Sequence, residues 1–156
     1  MPSLPCCCPA LLLGKLCGTS VIATVMRDDA ADPNYHRGCD YKQKLGELVV
    51  ERSVRYVLDL HGAALHSEKL SPTQIIDLGY RGDNPEQRSM DPCHVEQLEV
   101  LLRASGNPCL VVERNRLAAR GTRQSEPVTT FIHGLGSSFR VQAIQIEMKP
   151  QVRVAR

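Results

Sequence analysis

Short apolar, β-branched runs alternate with amphipathic segments along this chain, and that alternation restricts it to the α/β class. Residues 20–26 (SVIATVM) read as a buried strand that ends in the polar turn 27–36, where Pro33 holds Asp32 away from helical angles. Residues 41–54 place Leu45, Leu48 and Val49 at helical spacing with Lys and Glu opposite, although Gly46 weakens the helix. Tyr56, Val57, Leu58 and Leu60 form a second strand that runs into Asp59, His61 and Gly62. A short strand signal, TQIIDLGY, follows among turn residues. The clearest helix is 91–105, with Asp91 to cap it, Pro92 in its first turn, an apolar face of Val95, Leu98, Leu101 and Leu102, and Gly106 to end it. Residues 109–112 read as a strand, and 128–132 as a strand or the start of a helix. The last element alternates: Val141, Ala143, Gln145 and Glu147 share one side, and Gln142, Ile144, Ile146 and Met148 the other, until Pro150 stops the pairing. Helices between strands predict a three-layer sandwich around a central sheet, mostly parallel or mixed.

Bulk properties remove several function classes. A chain of 156 residues has the length of one domain, expected over 18–156 behind an irregular lead at 1–17. The net charge of +2 is spread out, with one loose basic cluster at Arg114, Arg116, Arg120 and Arg123, so nucleic acid is not the expected partner. The apolar run of the lead is too short for a signal peptide or a membrane span. Seven cysteines, three of them consecutive at Cys6, Cys7 and Cys8, show no C-x-x-C pair and cannot all pair within one chain. They read as reduced thiols in a cytoplasmic protein that takes a small-molecule substrate, with a homo-oligomer left open.

Chemistry concentrates at two places. Asp59 and His61 point to one side at the carboxyl end of a strand, where open α/β sheets place their sites. The pair suits a metal ligand with an acidic neighbour, a general base, or a polar strand end of purely structural use. Glu147 sits in an apolar strand, where a carboxylate needs either a partner or a task such as activating water. His133, before the Gly134–Leu135–Gly136 stretch, could contact a substrate, and Arg114, Arg116 or Arg123 could bind a substrate carboxylate. His66 and His36 could enter the same cleft, whereas His94 reads as a surface or partly packed histidine. His61 is the one well-placed metal donor; a catalytic zinc takes three. No H-E-x-x-H, Walker A, dinucleotide or G-x-S-x-G motif is present.

DPN at 32–34, DLHG at 59–62 and AIQIEM at 143–148 together resemble the N-formylglutamate amidohydrolases, within the wider zinc carboxypeptidase and aspartoacylase-like group. The resemblance covers roughly residues 21–148. It implies a phosphorylase/hydrolase-like α/β domain that hydrolyses an amide next to an acidic amino acid with zinc. His61 would match a zinc ligand, Glu147 the proton-moving glutamate, and Asn34 a substrate-holding asparagine; His133 would match a substrate-loop residue. The H-x-x-E type motif that carries that family's other two zinc ligands is not found here, and Tyr35 stands where its arginine would follow Asn34. The resemblance therefore implies either a zinc-dependent amidohydrolase-like protein lacking its N-terminal metal-ligand segment, or a non-catalytic relative that keeps the fold without a complete zinc site.

Overall fold

The strand β4, Gln142–Met148, lies between β1, Tyr56–Gly62, and β2, Ile76–Gly79, with β3, Val112–Arg114, beyond β2. The structure, a computed structural model, describes residues 7–22, 32–33, 36–62, 76–81, 85–105, 110–116, 126–135 and 140–149. β4 runs parallel to β1 and antiparallel to β2, and β2 runs parallel to β3, so the sheet is mixed. A strand paired on both sides and covered on both faces should be apolar almost throughout. β4 meets that condition at Ala143, Ile144, Ile146 and Met148 and breaks it at Gln145 and Glu147.

Helices cover both faces. On one face Ile76, Leu78, Val112, Ile144, Ile146 and Met148 pack with Val95, Leu98 and Leu102 of α3, Pro92–Arg103. On the other, Val57 and Ala143 pack with Leu45 and Val49 of α2, Asp40–Glu51, and with Val128 and Ile132 of α4, Val128–Gly134. α3 begins as its sequence requires: the Asp91 side chain accepts from the Cys93 amide at 2.8 Å, and Pro92 follows at a position where its missing N–H is no loss. Such a cap contributes about 1 kcal/mol. Gly46 in α2 faces α4, where a Cβ would meet the Phe131 ring at 3.4 Å, an ordinary van der Waals contact.

Two expectations change, and one alternative left open is decided. The lead at 1–17 is not irregular throughout, because Cys7–Cys17 form a helix, α1, which leaves Leu11, Leu12 and Leu16 exposed. The strand expected at 109–112 is found at Val112–Arg114. The choice left open at 128–132 falls to a helix: Val128 and Ile132, one helical turn apart, are both buried against the sheet, and that burial outweighs the β-branched composition. The strand expected at 20–26 lies mostly outside the described residues, and residues 20–22 are not in a strand. Among the described residues no helix is long and apolar enough to cross a membrane.

Candidate functional site

On the face shared with α2 and α4, apolar side chains give way to polar ones toward the carboxyl ends of β1 and β4. Val57 and Ala143 are register partners, then Asp59 and Gln145, then His61 and Glu147. Asp77 of β2 is the register partner of Glu147 on its other side. Period-two alternation thus sets Asp59, His61, Gln145, Glu147 and Asp77 in one polar row across three strands.

The row is connected. Asp59 Oδ2 lies 2.9 Å from His61 Nε2, and His61 Nδ1 lies 3.8 Å from Glu147 Oε1. The second distance is too long for a direct hydrogen bond and short enough for strong electrostatic coupling. Gln145 Nε2 donates to Glu147 Oε1 at 2.7 Å, and the Arg116 amide donates to Asp77 Oδ1 at 3.2 Å. Asp77 is fully buried, while His61 keeps 19% of its side chain exposed and Glu147 14%.

Burial and charge oppose each other at His61. Burial disfavours the imidazolium, but the hydrogen bond and charge of Asp59, then the charges of Glu147 and Asp32, overcome it and raise the pKa to about 9. Glu147 moves the other way from an ordinary paired carboxylate: burial raises its pKa, and His61 and Gln145 offset this only in part. Tyr41 of α2 is pushed up to about 12, first by burial and then by the negative charge of Asp59, so its phenol stays neutral beside the row. Tyr41 and Asp59 also line an apolar cavity of about 530 Å³ that runs along β1 between α1, α2 and α3.

His61 and Glu147, singled out separately in the sequence, are brought together. Asn34 lies outside the described residues; Asp32, two positions earlier, is close enough to act on His61. Arg114 is not brought to the row. It shares strand parity with Val112 and so faces α3, where Glu99 takes its Nη2 at 2.5 Å and its Nε at 2.6 Å. His133 at the end of α4 is exposed, with Nε2 2.9 Å from the Glu86 carbonyl oxygen, and that partner is not a member of the row. Gln145 and Asp77 were not singled out from the sequence. Gln145 carried a usable signal, since it shares strand parity with Glu147; Asp77, an acid inside TQIIDLGY, carried a weaker one.

A carboxylate on one imidazole nitrogen is the contact that orients a metal-ligating histidine. A catalytic zinc nevertheless takes three protein ligands, and among the described residues no three of His, Cys, Asp and Glu converge to hold a metal. By themselves these donors do not fit a zinc ion, and the chemistry below uses the side chains alone. No family model matches the chain, and no curated protein or solved structure matches it either.

Proposed function

We propose that this chain is an amidohydrolase-like enzyme of hydrolase-like α/β fold, acting on an N-acylated acidic amino acid or a similar small amide. The observation that carries the reading is the placement of Glu147 and His61 as register partners at the carboxyl ends of adjacent parallel strands, with Asp59 holding the imidazole. Glu147, kept basic by burial, takes a proton from water as the water oxygen bonds to the amide carbonyl carbon. The tetrahedral oxyanion forms beside the imidazolium of His61, whose charge Asp59 sustains. Glu147 then gives its proton to the leaving nitrogen, the C–N bond breaks, and a carboxylic acid and an amine leave.

A second reading, a non-catalytic protein that keeps the fold, draws on the shortage of metal donors among the described residues. One experiment separates the two. Formyl, acetyl and succinyl derivatives of glutamate and aspartate are offered to wild type and to Glu147→Gln, with and without a chelator, and free amine is measured. Amine release that falls by about 10²-fold or more in the variant supports the hydrolase. Release that survives chelation supports the two-residue chemistry, and loss on chelation returns zinc to the site. No release from any substrate favours the non-catalytic reading.

A further inference from the structure

Gln145 presents a donor and an acceptor inside the row, and only the donor is used. The residue is 7% exposed. Nε2 is committed to Glu147 Oε1 at 2.7 Å, and Oε1 is buried and accepts no hydrogen bond among the described residues. The assignment of the two amide atoms follows from chemistry: an ionised Glu147 can only accept, so the NH₂ group must face it and the carbonyl must face away. A buried acceptor left empty is costly, and native proteins keep few of them without a use. The β2 register partner of Gln145 is the buried Gly79, which brings no side chain that could donate to Oε1.

The chemistry of the missing partner is narrow. It must donate a hydrogen bond. At Oε1 itself it must be a donor rather than an anionic oxygen, because Oε1 can only accept and the carboxylates of Asp59, Asp77 and Glu147 share the face. We infer that Gln145 Oε1 accepts the N–H of the amide that is cleaved, and so selects secondary amides over esters. This rests on the hydrolase reading above and adds to it a specificity-determining residue. The N–H is one bond from the carbonyl carbon, and one side chain both receives it and holds Glu147, so recognition of the bond and proton transfer to it happen at one place.

The test compares N-formyl-L-glutamate with its isosteric ester, in which oxygen replaces the N–H, on wild type, Gln145→Met and Gln145→Glu. Intrinsic reactivity cancels when each variant is compared with wild type on the same substrate. The expected result is that Gln145→Met lowers kcat/KM for the amide at least about tenfold more than for the ester, and that Gln145→Glu, which keeps a carbonyl acceptor when protonated, restores part of the difference. An equal fall for both substrates would mean that Gln145 only positions Glu147, and would overturn the inference while leaving the hydrolase reading intact. No fall for either overturns it as well. Wild type inert on both substrates overturns the reading and the inference together. Thermal melts confirm that each variant is folded; if Gln145→Met is not, Gln145→Glu carries the same comparison, and an amide-to-ester ratio far below wild type's overturns the acceptor role.

Discussion

His61 and Glu147 stand side by side on β1 and β4, with Nδ1 3.8 Å from Oε1, because two parallel strands far apart in the sequence share one register. The pairing joins a cation sustained by Asp59 to a carboxylate whose proton affinity burial has raised. Neither property belongs to either residue alone, so changing a neighbour should change both.

Asp59→Asn is the most direct change. It keeps the size of the side chain and removes the charge that holds His61 protonated. With that charge and hydrogen bond gone, burial is opposed only by Glu147 and Asp32, and the imidazole pKa should fall below about 9. An NMR titration of the histidine ring signals reads this. A His61 that still titrates near 9 in the variant would show that Asp59 is not the source of the shift.

The same shift predicts how stability depends on pH. His61 binds its proton more tightly in the folded protein than in the unfolded chain, with a pKa of about 9 against 6.5. Its contribution is therefore complete below about pH 6.5 and lost as the pH rises through about 9, and it amounts to roughly 3 kcal/mol across that window. Glu147 has the same sign at lower pH, since its raised pKa makes the folded state less favourable once the carboxyl ionises. Urea midpoints should fall between pH 6.5 and 9.5 in wild type, and the slope should flatten in His61→Gln. Equal slopes in the two proteins would count against the coupling.

Local signals were legible in the sequence, and pairings between distant segments were not. α3 was readable because Asp91 and Pro92 mark its start within a few residues of the apolar face. The side-chain alternation of β4 was readable too, and it put Gln145 and Glu147 on one face before any partner strand was known. The direction of β2 was not, because a four-residue strand carries no mark of whether its neighbour runs with it or against it, and its reversal is what brings Asp77 beside Glu147. Arg114 illustrates the same limit. As a residue type it suits a substrate carboxylate, yet Glu99, on a different element, captures it on the far face of the sheet. The helix at Val128–Gly134 stayed ambiguous for the opposite reason: its β-branched residues favour a strand locally, and only burial against the sheet decides.

Asn115 secures the end of β3 beside Asp77. Its backbone is left-handed, with φ of 58°, its amide donates to the Leu78 carbonyl at 2.9 Å, and its side chain accepts from the Tyr80 amide at 2.9 Å. Asparagine tolerates that backbone better than most residues and supplies the acceptor as well. Asn115→Gly keeps the backbone and loses the side-chain bond, so it should cost about 1 kcal/mol. Asn115→Ala adds backbone strain and should cost about 1 kcal/mol more. Urea denaturation of the two variants checks the order. If glycine proves worse than alanine, the left-handed backbone is not what selects asparagine here.

Lys42 tests what holds α4 over the polar row. It is fully buried in α2, and its ammonium donates to the His36 carbonyl at 2.9 Å, to the Glu126 carbonyl, and to the Glu126 carboxylate at 3.4 Å. Glu126 and Pro127 lead directly into α4, whose Val128 and Ile132 pack against α2 and Ala143. One side chain therefore ties the turn before α2 to the segment before α4. Lys42→Met fills the space and leaves two carbonyls and a carboxylate without their donor, and should cost about 3 kcal/mol. Glu126→Gln keeps the backbone acceptor, removes only an ionic partner that is 24% exposed and 3.4 Å from the ammonium, and should cost about 1 kcal/mol or less. Paired urea unfolding curves decide between them. Similar losses in both variants would place the stabilisation in the ion pair rather than in the two backbone carbonyls that Lys42 bridges.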